Sequence, residues 1–174
     1  MILVISSSLN SDSNSRLLAA EAVRVLIADG GAAHLLDLRE HPLPLCDGSA
    51  AYSHPSVAPV RALVAQATAL IVATPIYNYD GTAALKNLIE LTGRAWENKV
   101  VGFLCAAGGT NSYMSIMPLA NSLMLDFRNV IVPRFVYATS EAFADGQLVD
   151  PDQLRRVAEL ARMTARLGAF VQAA

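Results

Sequence analysis

Cysteine is scarce in this chain: only Cys46 and Cys105 occur in 174 residues. So few, so far apart, exclude a disulfide framework and make the cytoplasm the expected compartment. Charge is thin as well, at 16% of residues with a formal net of −2. A balance so near neutral supplies no basic face, so nucleic acid is not an expected partner. No apolar run approaches the length of a bilayer span, and no charged leader precedes the strand that starts at Met1. Neither a membrane anchor nor a signal peptide is expected. The three histidines, His34, His41 and His54, lack metal-ligand spacing, so no metal site is expected. Repeats, low-complexity tracts and linker-like stretches are missing, and the length suits one domain over residues 1–174. The glycines and lysine of a Walker loop are absent, as is the dinucleotide glycine fingerprint. ATP hydrolysis and conventional Rossmann binding of NAD therefore lose ground. Ser6-Ser7-Ser8 lacks the flanking glycines of a nucleophile elbow, and Cys46 has no base near it in sequence.

What is present is apolar, 53% of the chain, and arranged in alternation. Strands are expected over Met1–Ser6, Ala33–Leu38, Ala69–Thr74 and Val100–Ala106, with a fifth strand region at Val130–Val132 and Phe135–Tyr137 around Pro133. Helices are expected over Ser15–Ala28, Val57–Ala67, Thr82–Thr92, Tyr113–Asp126 (interrupted or shifted near Pro118) and Asp152–Val171. The segment from Arg39 to Pro55 is a long loop, a place where function often resides. The strands are continuous apolar runs, the pattern of a parallel sheet covered on both faces. Ligands of such sheets sit beyond the carboxyl ends of the strands. The loops Ser7–Ser15, Pro75–Gly81 and Ala107–Ser112 should therefore converge at one edge.

Each of these loops carries chemistry. The first offers hydroxyls from Ser7, Ser8, Ser13 and Ser15 and amides from Asn10 and Asn14. It opens a helix whose free N–H groups and dipole attract anions without a lysine. A phosphate monoester suits so many donors; ordinary helix capping needs only one or two of them. Asp12 should point outward, and Arg16 reaches either the phosphate or Asp12. The second loop, Pro75-Ile76-Tyr77-Asn78-Tyr79-Asp80-Gly81, combines a proline-led turn, two flat amphipathic rings and an amide. It suits a planar heteroaromatic ring with polar edges, such as an isoalloxazine, unless the tyrosines pack on the fold or on another subunit. In the third, Gly108 and Gly109 let the backbone approach a ligand, with Thr110, Asn111 and Ser112 following. Lys86 is read as a solvated surface residue, Cys105 as a core residue, and Trp96 as packing beneath the loop before the fourth strand.

Three segments together resemble the NADPH-dependent FMN reductase family of the flavodoxin-like fold. Ser7 to Arg16 is similar to that family's phosphate loop. Asp37-Leu38-Arg39-Glu40-His41-Pro42-Leu43-Pro44-Leu45 is similar to its acidic, proline-leucine segment. Thr74-Pro75-Ile76-Tyr77-Asn78-Tyr79 with Gly81 and Leu85-Lys86-Asn87 resembles its most specific signature. Departures are Ser7 for glycine, Asn10 where arginine is frequent, Ser15 where asparagine is common, and Ala83-Ala84 without a serine-proline step. The resemblance implies a three-layer α/β sandwich with a five-stranded parallel sheet in the order 2-1-3-4-5. It implies FMN as cofactor, gripped by the three loops, and NADPH or NADH as co-substrate. Hydride would pass from the nicotinamide to the flavin, and electrons on to a small-molecule acceptor: free flavin, a quinone, an azo compound or a metal oxyanion. No protein acid or base is required, because the cofactor carries the chemistry. A homodimer or homotetramer is implied as well. The alternative is a flavodoxin-like FMN-binding electron carrier without turnover of its own.

Overall fold

In the first strand, β1 (Ile2–Ser6), Leu3 and Ile5 enter one apolar cluster while Ile2 and Val4 enter another, and all four are buried. Alternate side chains of a strand point to opposite faces. A strand covered on both sides must therefore be apolar at every position, which is why the pattern reads as a continuous run.

The computed structural model describes residues 1–173. After β1 come α1 (Asn14–Ala28), β2 (Ala33–Asp37), α2 (Val57–Gln66), β3 (Ala69–Pro75), α3 (Ala83–Thr92) and β4 (Val100–Ala107). There follow α4 (Met117–Phe127), β5 (Val130–Ile131), β6 (Val136–Thr139), a hairpin of β7 (Phe143–Ala144) and β8 (Gln147–Leu148), and α5 (Pro151–Ala173). The sheet is parallel in the order β2-β1-β3-β4-β5, as the flavodoxin-like resemblance implies. One apolar cluster joins the sheet to α2, α3 and α4, the other to α1 and α5. Helix α5 lies close on the sheet because of two glycines. A Cβ on Gly168 would stand 2.7 Å from that of Ala69, and one on Gly102 would stand 2.7 Å from Thr164 Oγ1.

The fifth strand position is split. β5 pairs with Val100 and Val101 at the start of β4, and β6 pairs with residues Leu104 to Ala107 at its end. Pro133 has no N–H to give the ladder, and Arg134 has φ +60°. The sequence places the break at this proline. The hairpin of β7 and β8 is an element the sequence reading did not foresee. Asp145 and Gly146, at φ +49° and +70°, form the two-residue turn that joins its strands.

One helix differs from expectation. Tyr113–Asp126 reads as helical, yet α4 begins at Met117. Residues 113–116 form turns, with Ser115 N–H bonding to Ser112 O at 3.1 Å and Met117 N–H to Met114 O at 3.1 Å. Pro118 sits in the first helical turn, where the missing N–H costs nothing. The proline opens this helix instead of interrupting it. Trp96 is fully buried, its indole N–H donating to Thr92 Oγ1 at 2.8 Å. Cys105 is buried in β4, and burial pushes its thiol up to about 12. Lys99 is also buried; its ammonium donates to Ala65 O and Ala67 O, and desolvation lowers its pKa.

Candidate functional site

The parallel register puts the ends of β1, β3 and β4 at one edge of the sheet. Ser6 lies beside Ala73, and Pro75 beside Ala106. The three loops therefore start side by side, as expected.

The first loop is shaped by its own side chains. Ser8 Oγ accepts from Asn10 N–H at 3.2 Å, and Asn10 Oδ1 accepts from Asp12 N–H at 3.1 Å. Ser8 and Asn10 thus spend an acceptor each on bending the backbone. Ser13 is the N-cap of α1 but makes no side-chain cap bond. Its hydroxyl instead lies 2.9 Å from that of Ser15, and both residues are buried. The N–H groups of Asn14 and Ser15, in the first helical turn, have no intrahelical partner. Two hydroxyls and the positive end of a helix dipole thus share one small area. Asn10 and Asp12 are exposed and Asn14 half-buried. Arg16 reaches neither Asp12 nor the serine cluster. Its Nε lies 2.7 Å from Asp37 Oδ2 and its Nη2 3.2 Å from Glu40 Oε1. The buried Asp37 carboxylate attracts a guanidinium more strongly than the exposed Asp12 does.

Ser7 has a different part. It is fully buried, and its hydroxyl lies 3.0 Å from Thr82 Oγ1. Thr82 also accepts from Leu85 N–H at 3.1 Å, capping α3, and its own N–H donates to Thr74 Oγ1 at 3.2 Å. These bonds knit the first loop to the end of β3 and the start of α3. The sequence reading gave Thr74 and Thr82 no role, although a threonine before a helical run is a capping signal.

In the second loop, Tyr77 N–H bonds to Asp80 O at 2.9 Å and Asp80 N–H to Tyr77 O at 3.0 Å. Asn78 and Tyr79, at φ +51° and +62°, are the centre of this two-residue turn. Asparagine tolerates that backbone; a tyrosine there costs about 1–3 kcal/mol. Tyr77 and Tyr79 are both exposed. Ile76 N–H donates to Ala106 O at 2.8 Å, tying the turn to β4.

The third loop is pinned from β6. Tyr137 Oη donates to Gly109 O at 2.6 Å and shares a 2.6 Å bond with Ser112 Oγ. Tyr113 stacks on Phe135 at 5.0 Å and meets Tyr137 edge-on at 5.5 Å. Tyr137 is a residue that sequence reading left unassigned, since its partners lie far along the chain. Neither Gly108 nor Gly109 has a positive φ, and a Cβ on either would meet nothing. An open cleft of about 300 Å³ joins the second and third loops, lined by Ile76, Asn78, Tyr79, Gly109, Asn111 and Ser112. Its size falls at the lower end for ligand clefts, about 300–1,000 Å³. Pro75, Tyr77 and Gly108 flank it without lining it.

The serine cluster of the first loop lines neither this cleft nor a second groove, to which the loop contributes Leu9. That groove, about 430 Å³, runs from Leu9 along Leu38 to Leu45 to the start of α3. Asn87 holds the groove's far wall in place: its Oδ1 accepts from Cys46 N–H at 2.8 Å and its Nδ2 donates to Pro44 O at 2.9 Å. Lys86 pairs with Glu90 at 3.0 Å on the exposed face of α3. No set of three His, Cys, Asp or Glu among the described residues is placed to hold a metal ion. No helix among them is long and apolar enough to cross a membrane.

Comparison with known proteins agrees with this architecture. Residues 1–144 match the model of a family described as NADPH-dependent FMN reductase. The chain is 35% identical over 130 residues to an NAD(P)H-dependent FAD/FMN reductase of Geobacillus thermodenitrificans (strain NG80-2), covering 73% of this chain and 70% of that one. It is 30% identical over 110 residues to the NADH-dependent FMN reductase SfnF of Pseudomonas putida, covering 63% and 58%. The fold superposes on FerB, a flavoenzyme NAD(P)H:(acceptor) oxidoreductase from Paracoccus denitrificans, with a TM-score of 0.79 at 20% identity, over 97% and 96% of the two chains.

Proposed function

The chain belongs to the NADPH-dependent FMN reductase family, and on that premise we propose that it oxidises NADPH or NADH and reduces a small acceptor, with FMN bound across its three loops. FMN supplies the hydride and electron chemistry when bound; the protein's residues supply position and polarity. The N–H groups of Asn14 and Ser15 and the hydroxyls of Ser13 and Ser15 hold the phosphate, with Ser8 and Asn10 shaping the loop around it. Arg16 is engaged by two carboxylates, so the dianion is neutralised by peptide dipoles and hydroxyl donors instead of a cation. Ser7 acts from below, fixing the loop to Thr82.

Pro75 to Tyr79 flank one side of the ring, and Gly108, Gly109 and Asn111 the other. The turn's paired backbone bonds and the Tyr137 hydroxyl keep both walls in place, so the polar groups facing the ring need little reorganisation. We place the enzyme in the cytoplasm, as one domain over residues 1–174 that assembles into a homodimer or homotetramer.

The observation that carries this reading is the serine cluster at the start of α1, on the same sheet edge as the cleft between the Pro75–Gly81 and Ala107–Ser112 loops. Purified protein mixed with FMN and then NADPH or NADH, with loss of the nicotinamide absorbance band followed in time, tests it. Oxidation that depends on FMN and on an acceptor is the expected result. Binding of FMN with no oxidation of either nicotinamide, across free flavin, quinone, azo and metal oxyanion acceptors, would make the protein a carrier and overturn the proposal.

A further inference from the structure

The break in the fifth strand exposes an arginine and gives it nothing to hold. Arg134, after Pro133, has φ +60°, a backbone region that residues other than glycine seldom adopt. It is exposed and has no hydrogen-bond or carboxylate partner among the described residues. Arg166 on α5 is exposed and unpartnered in the same sense. Every other arginine of the chain meets a carboxylate or a carbonyl. The two exceptions line one groove of about 400 Å³ between the strand break and α5. Strained backbone whose side chain the fold does not use is a reason to look for function. A charge on an edge strand can also keep other chains from pairing there. That duty explains neither residue: Pro133 already withholds an N–H from the ladder, and Arg166 stands on a helix.

Three more arginines line the groove: Arg155, Arg156 and Arg162. Asp152, Glu159 and Asp29 balance their charge. A guanidinium carries more donors than one carboxylate uses, and Arg156 gives only its Nε to Asp152. Arg134 and Arg166 therefore leave the groove positive, in a chain whose formal net charge is −2. The floor is apolar. Val132 and Leu160 are buried there, with Pro133 and Met163 beside them. Residues 155 to 166 cover about 16 Å of helix, so the charge is spread along a line.

We infer that this groove binds a small organic polyphosphate, such as a nucleoside triphosphate, with the phosphate chain along the arginines and the organic body on the Val132–Leu160 floor. The inference goes beyond the reductase reading and does not depend on it. A compact ion would meet one end of the line and leave the floor bare. An acidic peptide added along the sheet edge needs a ladder to join, and the ladder is interrupted at Pro133. The cavity lies within the range of small-ligand clefts, about 300–1,000 Å³, and the guanidinium fork matches phosphate oxygens two at a time.

Calorimetric titration of the protein with ATP, in saturating FMN to keep the serine loop occupied, tests this. One site is expected. Its Kd should rise at least about tenfold in Arg134→Gly with Arg166→Ala, and at least about threefold in Arg166→Ala alone. Glycine suits the backbone at position 134, so the Tm of the double variant should not fall. Arg94→Ala, which removes an exposed arginine elsewhere, should stay within about twofold of wild type. Inorganic tripolyphosphate, which has no body to lay on the floor, should bind at least about threefold more weakly than ATP. Failure of ATP to bind overturns the inference, as does a Kd unchanged by the double variant or by Arg166→Ala. Equal binding of tripolyphosphate overturns it too, since the floor would then have no part. Hexaglutamate bound more tightly than ATP, and weakened by the same substitutions, would make the groove a docking strip for an acidic protein segment and refute the polyphosphate site.

Discussion

Replacing both serines at the start of α1, Ser13→Ala with Ser15→Ala, tests where the phosphate sits and by how much the side chains hold it. The two hydroxyls are 2.9 Å apart, so one proton is spent between them and one remains for a phosphate oxygen. The double variant therefore loses one hydrogen bond to a charged group, about 1.5–3 kcal/mol. That corresponds to a rise of roughly 10- to 150-fold in the Kd for FMN. Binding is weakened and not abolished, because the N–H groups of Asn14 and Ser15 survive. Stability should move in a different order. Ser13→Ala alone leaves the fully buried Ser15 hydroxyl without its partner, at about 1–3 kcal/mol. The second substitution removes that orphan, so the double variant should be more stable than the Ser13→Ala single. Flavin fluorescence titration gives the Kd, and urea unfolding of the apoprotein gives the stabilities. An unchanged Kd for FMN in a folded double variant would refute the placement of the phosphate.

Further outcomes follow from other contacts. Asn87→Ala removes both bonds that hold the 39–55 loop to α3; it should cost roughly 1–3 kcal/mol and speed proteolysis within that loop, and unaltered cleavage would count against it. Gly168→Ala puts a Cβ 2.7 Å from that of Ala69, so denaturant unfolding should report a loss of about 1–3 kcal/mol from overpacking. The Arg162 guanidinium holds the Asp29 carboxyl below its usual range, chiefly by hydrogen bonding. A folded-state pKa lowered below the unfolded one contributes stability above the unfolded value, about 3.9, and loses it as pH falls through the folded value. Tm measured from pH 5 down to 3 should therefore drop less steeply in Asp29→Asn than in wild type.

The fold was legible because each level of the sequence pointed the same way. Strands buried on two faces must be apolar throughout, as Ala69 to Thr74 and Val100 to Ala106 are, and the helices between them repeat at a helical period. The misreadings were local. Tyr113 to Ile116 looks helical by composition, but Pro118 fits best at a helix start. The short β7–β8 hairpin has too few residues to leave a periodic signal, although Asp145-Gly146 is a hairpin turn pair.

The candidate site divides along the same line. The sequence by itself determined the layered parallel sheet and which loops follow its strands, because continuous apolar runs alternating with helices make a parallel sheet covered on both faces; the strand order and the family came from the resemblance carried by three segments. Only the tertiary structure decided which side chains within those loops face outward. Ser7 is tied inward to Thr82, Arg16 is drawn to Asp37 and Glu40, Asn87 braces a loop 41 residues away, and Tyr137 locks the Gly109 carbonyl. Those roles depend on partners distant in the chain, and a hydrogen bond is set by a few tenths of an ångström and an angle. Spacing along a sequence carries neither.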